Sequence, residues 1–193
     1  GAGVNLKYYT YQKYPENDKV HFLYLGRIMK EKGMDELFYA AKELQRKEVP
    51  FVLDLVGFFE DEYKEKIDKL VDAKIAVFHG FQEDPRPYYA MADCVVLPSY
   101  HEGMSNVLLE AAATGRPVIT SNIPGCKEAV DDGKSGLLCE AEDWNDLYRK
   151  MSKIAQMSRI EREAMGVCGR DKMAQEFDKD KVVKKTIQGI ERV

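Results

Sequence analysis

Short apolar runs rich in β-branched residues alternate with longer amphipathic segments along most of this chain. Residues 20–25, 51–56, 75–78, 93–98, 117–120 and 135–138 each read as a strand buried within a sheet. Between the first two, residues 34–47 carry Leu37, Phe38, Ala41 and Leu44 on one helical face. Further helices are predicted at 60–72, at 87–91 and, in a run of good helix formers, at 107–113, the last stopped near Gly115 and Pro117. A short helix is expected at 127–130, and three charged helical segments at 143–157, 159–176 and 179–192. Strands that alternate with helices over short connections imply parallel βαβ units with right-handed crossovers. The fold class is therefore α/β, a Rossmann-like doubly wound parallel sheet of about six strands with helices at its C-terminal end.

In such a sheet every strand ends on one edge, where ligands bind. The loop Ser99-Tyr100-His101-Glu102-Gly103-Met104-Ser105-Asn106 lies on that edge, between a strand and the helix that begins near Val107. Gly103 lets backbone approach a ligand closely, and the free N–H groups at the helix start suit phosphate. Glu102 sits in the loop and Glu110 about two turns into the helix, so carboxylates can meet hydroxyls at two places. Arg27 and Lys32 lie just beyond the first strand, where flexible cations can converge on a diphosphate. Together these residues suit a ligand that carries both phosphate and sugar hydroxyls.

The ordered series Leu25-Gly26-Arg27, Lys30-Glu31-Lys32-Gly33, Val56-Gly57, Phe78-His79-Gly80, Pro98-Ser99, Glu102-Gly103, Glu110-Ala111, Gly115-Arg116-Pro117-Val118 and Gly133-Lys134-Ser135-Gly136 resembles the donor-binding domain of the retaining glycosyltransferase family 4 (group 1), of GT-B architecture. The Glu-Gly-Met-Ser-Asn variant, with Asp84-Pro85-Arg86-Pro87-Tyr88 upstream, looks most like bacterial surface-polysaccharide transferases. The resemblance implies transfer of a hexose or N-acetylhexosamine from a nucleoside-diphosphate sugar, UDP above all, to a glycan or lipid-linked acceptor. It implies that Arg27, Lys32 and Glu102 serve the reaction itself. Arg27 and Lys32 would neutralise the departing diphosphate, and Glu102 would meet hydroxyls of the transferred sugar. Donor binding falls by the same resemblance to Gly26, Gly57, Gly80, Phe81, Gly103, Met104, Ser105, Asn106, Val107 and Glu110, with Glu110 on the ribose. Retention in the family is ascribed to front-face attack, so neither carboxylate is assigned as a nucleophile.

Departures from the family pattern leave particular points open. Met104 and Ser105 stand where an aromatic and Gly are common, which leaves the sugar undetermined. Phe81 is compatible with stacking on a nucleobase or with plugging the loop. His101 beside Glu102 is either an acid–base group or a solvated loop residue, and His21 in its strand reads as structural. By resemblance, residues 1–19 form an interdomain linker remnant, residues 20–178 the nucleotide-sugar-binding domain, and residues 179–193 a helix directed toward an N-terminal acceptor domain not encoded here. The isolated domain is then expected to bind donor without transferring sugar. An alternative is a donor-binding subunit that is inactive without a separate acceptor-binding chain.

Composition narrows the partners. In 193 residues the formal net charge is −4, with Lys and Arg spread among acidic residues, so nucleic acid is not an expected partner. Cys94, Cys126, Cys139 and Cys168 form no Cys-x-x-Cys pair, and reduced thiols in a cytoplasmic protein are expected. No run approaches the roughly 20 apolar residues of a membrane span. Peripheral contact with the inner face of a membrane is left to the full-length enzyme. Asp131-Asp132 sits in a turn before Gly133, away from a strand end, and no metal or other cofactor is called for.

Overall fold

The structure, a computed structural model, describes residues 2–190. Among them, strands β1 (Val20–Leu25), β2 (Phe51–Val56), β3 (Ala76–Gly80), β4 (Cys94–Leu97), β5 (Val118–Ser121) and β6 (Gly136–Cys139) join in one parallel sheet. Their spatial order is β3-β2-β1-β4-β5-β6. The order reverses direction between β1 and β4, which opens a crevice outside the carboxyl ends of those two strands. The connecting helices are α1 (Met34–Arg46), α2 (Lys64–Asp72), α3 (Arg86–Met91) and α4 (Asn106–Ala113), followed by α5 (Trp144–Gln156), α6 (Arg159–Lys172) and α7 (Lys179–Ile190). No helix among the described residues is long and apolar enough to cross a membrane.

The apolar runs become the sheet because both of its faces are covered. Phe22, Leu23, Leu53, Leu55, Val95 and Ile119 are fully buried, and truncating one of these to Ala costs about 2–5 kcal/mol. α1 buries Leu37, Phe38, Ala41 and Leu44, the face its periodicity marked, and packs on α5. α5 starts where the Asp143 carboxylate accepts from the N–H groups of Asn145 and Asp146. α6 starts at a capping box formed by Ser158 and Glu161.

Several bounds differ from those the pattern predicts, each with a local reason. β3 runs on through His79 to Gly80, and the β2–β3 register slips between Leu55 and Val56 so that Val56 faces Gly80. The helix predicted from residue 60 begins as a 3-10 turn, Asp61–Tyr63, before α2. The helix predicted to reach residue 176 stops at Lys172. A wide turn, Met173–Phe177, then buries Met173 and brings the Phe177 carbonyl to the N–H of Val4 at 2.8 Å. The end predicted for the last helix, at 192, lies outside the described residues.

Residues 2–19 hold no regular element, yet they are tied down along their length. Backbone outside helices and sheets must find other partners, and here three arginines supply them. Arg116, fully buried, donates to the carbonyls of Gln12 and Lys13 and to those of Tyr89 and Ala90 on α3. Arg159 reaches the carbonyls of Tyr14 and Pro15, and Arg170 those of Tyr9 and Ala113, the latter two at 2.7 Å. Tyr14 is itself buried, with its hydroxyl donating to the Asp93 carbonyl at 2.6 Å.

Candidate functional site

Three loops meet at the crevice. After β1 the chain passes Gly26 and Arg27, and the Tyr24 hydroxyl donates to the Arg27 carbonyl. Gly57, at the end of β2, lies so close that a Cβ there would stand 1.9 Å from the Gly26 carbonyl oxygen; its φ of +138° already favours glycine. Gly33, at φ +70°, brings the start of α1 equally close to the Pro98 carbonyl, where a Cβ would stand at 2.0 Å. That approach sets Lys32 beside the loop after β4. Lys32 Nζ lies 2.6 Å from Glu102 Oε1, which also accepts from the Ser99 hydroxyl at 2.8 Å. The Tyr100 N–H donates to the Glu31 carbonyl at 2.9 Å and fixes the same pairing through backbone.

The resulting cleft encloses about 290 Å³ and is bounded by Gly26, Arg27, Lys32, Glu102, Asn106 and Val107, with Met104 and Ser105 also on its wall. Ser105 is the N-cap of α4 but makes no side-chain cap. The first turn of the helix therefore opens into the cleft with its N–H groups and the positive end of its dipole. Arg27 is exposed, and Lys32 and Glu102 are largely covered. Gly103 has nothing within 4 Å of its Cβ position.

Glu110 faces elsewhere. Its carboxylate accepts from the Tyr89 hydroxyl at 2.9 Å, and Tyr9 lies on the same wall. Burial pushes its pKa above the usual carboxylate value, while the Tyr89 hydrogen bond pulls it back. It lines a cavity of about 190 Å³ with Gly3, Val4, Asn5, Tyr9 and Lys179. Glu102 and Glu110 thus do not share a cavity; Asn106 is the residue common to both walls.

On the other side of Gly26 and Arg27 lies an apolar shelf, a cavity of about 190 Å³ that includes Gly57, Phe58, Phe81 and Gln82. Phe58 and Phe81 stack with ring centroids 4.6 Å apart at an interplanar angle of 9°, and both are exposed. Gly80, at φ +68°, turns the chain into this shelf. His79 points away from it: its Nε2 lies 2.7 Å from Asp54 Oδ1, and His21 Nδ1 lies 2.7 Å from the other oxygen of that buried carboxylate. The hydrogen bond with Asp54 holds the His21 pKa above its ordinary value. His101 is exposed in its loop.

The cleft therefore gathers Gly26, Arg27, Lys32, Glu102 and the segment from Met104 to Val107, whereas Gly57 and Phe81 belong to the shelf and Glu110 to a third wall. Sequence reasoning missed Tyr9, Tyr89, Tyr24 and Phe58. Only Phe58 left a signal, as one of two aromatics directly after a strand-ending glycine. Among the described residues, no group of three or more His, Cys, Asp or Glu side chains is arranged to hold a metal ion.

Comparison with known proteins adds the family. The capsular polysaccharide biosynthesis glycosyltransferase CapM of Staphylococcus aureus is 31% identical over 166 residues, which are 83% of this chain and 43% of that protein. Sucrose-phosphate synthase from Thermosynechococcus elongatus superimposes with a TM-score of 0.84 at 26% identity, over 99% of this chain and 51% of that one. HepE of Anabaena, solved in complex with UDP, superimposes with a TM-score of 0.82 at 18% identity, over 99% of this chain and 56% of that one. The chain spans only about half the length of these relatives, or less. The signature of the family described as "Glycosyl transferases group 1" matches residues 19–157, well over half of the 193, and the chain belongs to that family.

Proposed function

We propose that this chain is the donor-binding half of a retaining glycosyltransferase. It would bind a UDP-hexose or UDP-N-acetylhexosamine for transfer to a bacterial glycan or a lipid-linked acceptor. The observation that carries the reading is the convergence of Arg27, Lys32, Glu102 and the uncapped start of α4 on one cleft at the switch point of the sheet. The UDP complex of HepE and the capsular role of CapM support it.

In this reading the diphosphate lies across the start of α4, with the Arg27 guanidinium and the Lys32 ammonium on its oxygens. Charge develops on the departing diphosphate as the glycosidic bond breaks, and fixed donors aimed at that charge lower the barrier. Lys32 is held by Glu102 in the free protein, so donor binding exchanges one anionic partner for another. The carboxylate so released accepts hydrogen bonds from hydroxyls of the transferred sugar. Positive charge from the protein and the helix start meets the leaving group, and no metal ion is needed. The acceptor and the group that takes its proton would come from the other half of the enzyme. Without that half the cleft stays open to water, which weakens the electrostatic stabilisation.

Calorimetry with UDP and UMP tests the phosphate assignment. UDP is expected to bind more tightly, because Arg27 and Lys32 act on the second phosphate; equal affinities would sink the assignment. Incubation of this chain with UDP-sugars and glycan acceptors, read by mass spectrometry, is expected to give no product.

A further inference from the structure

We propose that His79, anchored on the buried Asp54 carboxylate, is a positioning residue: it fastens the end of β3 and, through it, the backbone ladder that carries Arg27 to the cleft. The inference rests on the donor-binding reading above, in which Arg27 meets the diphosphate.

β3 is an edge strand of the sheet, paired with β2. The pairing is interrupted near its end, because the β2–β3 register slips between Leu55 and Val56. Just past the slip, the Gly57 N–H donates to the Gly80 carbonyl at 2.9 Å and ties the two strand ends. His79 supplies a second tie. Its Nε2 lies 2.7 Å from Asp54 Oδ1, while His21 Nδ1 lies 2.7 Å from Oδ2. An ionised carboxylate can only accept, so both facing ring nitrogens carry their protons. Asp54 is 2% exposed, and removal of the His79 donor would leave a carboxylate oxygen buried without its partner. Tyr88 of α3 meets the His79 ring with centroids 5.0 Å apart, and the Gln82 amide donates to the His79 carbonyl at 2.8 Å. The residue is held by its ring and by its backbone.

From Gly80 the ladder continues to the site. Gly57 stands against Gly26, where a Cβ would lie 1.9 Å from the Gly26 carbonyl oxygen. The Gly26 N–H donates to the Val56 carbonyl at 2.9 Å, and the Ile28 N–H to the Phe58 carbonyl at 2.7 Å. Arg27 sits between those two bonds, exposed and on the wall of both the cleft and the aromatic shelf. Its backbone is therefore placed by the strand ends beside it, of which the end of β3 is the outermost. Loss of the His79 tie loosens Gly80, then Gly57, then the turn at Gly26 and Arg27. Binding groups must be held within about 0.5 Å of their working position, so a small drift there is felt at the diphosphate. His21 holds the same carboxylate from the start of β1, away from this ladder.

The test is calorimetric titration of UDP into the wild-type chain, His79→Ala, His79→Gln, His21→Ala, Arg27→Ala and the Arg27→Ala/His79→Ala double variant, after a thermal melt of each. His79→Ala is expected to weaken UDP by about 3–10-fold. His79→Gln, whose amide nitrogen can stand near the lost Nε2, should restore most of that affinity. His21→Ala removes the other donor to the same carboxylate and should cost less than about 2-fold. In the Arg27→Ala background the His79→Ala loss should also shrink below about 2-fold, because the group it places is gone. If His79→Ala does not fold, Asp54→Asn takes its place in the cycle with the same expectation. Wild-type affinity in His79→Ala, equal losses in both backgrounds, no rescue by Gln, or an equal loss in His21→Ala overturns the proposal. If the wild-type chain does not bind UDP, or Arg27→Ala binds it unchanged, the donor-binding reading itself falls.

Discussion

Glu102 and Glu110 lie eight positions apart in one loop–helix unit, yet they meet opposite surroundings. Glu102 has a cation 2.6 Å away and a serine hydroxyl beside it; Glu110 has the Tyr89 phenol and no ion pair, and burial pushes its pKa up. The first carboxylate already has its charge matched, so a ligand must displace a partner to use it. The second has its charge tolerated rather than matched, and it gains from each new hydroxyl donor. One motif thus supplies an ion pair in the cleft and, farther along the helix, a half-buried carboxylate bonded by a tyrosine. Proximity in sequence does not make the two a catalytic pair.

The largest break in this comparison should come from Gly125→Ala. Gly125 has φ +86°, and a Cβ there would stand 1.5 Å from the Gly103 carbonyl oxygen and 2.5 Å from that of Glu102. The loop carrying Glu102 must shift or the turn must open, at a cost on the order of 3 kcal/mol. A clear drop in melting temperature with loss of UDP binding is expected, and a wild-type melt would show that the contact gives way freely. Lys32→Ala comes next. It removes a charge-assisted contact worth about 1.5–3 kcal/mol, so UDP affinity should fall roughly 10–100-fold while UMP, which lacks the second phosphate, loses far less. Parallel losses for both nucleotides would place Lys32 away from that phosphate.

The smallest effect sharpens the other side of the comparison. The folded-state pKa of Glu110 is raised by burial, so its contribution to stability is complete below the unfolded-state value of about 4.3 and is lost as pH rises through the folded-state value. Glu110→Gln should therefore melt higher than the wild type near neutrality and level with it near pH 4. A gain that persists at low pH would mean that ionisation of Glu110 is not its source.

Much of this molecule is written in short-range pattern. Strands buried on both faces declare themselves as β-branched runs, which is why β1 and β2 were legible to the residue. Lys32, Glu102 and the start of α4 were legible because the strand–loop–helix order places them on one edge before any contact is known. The N-terminal segment was not. Tyr9 and Tyr14 stand in a stretch with neither helical nor strand period, and their order comes from Arg116, Arg159 and Arg170, more than 100 positions away in sequence and bound to backbone carbonyls. A carbonyl is present at every residue, so no side-chain pattern foretells which ones an arginine will seek. The separate placement of Glu110 has a similar origin, because the phenol that bonds it, that of Tyr89, arrives from another element, α3.

The buried Asp54 between two imidazoles has a practical consequence. Ring protons held at 2.7 Å by a carboxylate that water scarcely reaches are expected to exchange more slowly than those of an open imidazole. The chain has three histidines, and the third, His101, is exposed. The two shielded signals can therefore be assigned with a single substitution. His79 directly precedes Gly80 and Phe81, so its resonance would follow the aromatic shelf without any label. Binding there could then be watched by proton spectroscopy from the interior of the sheet.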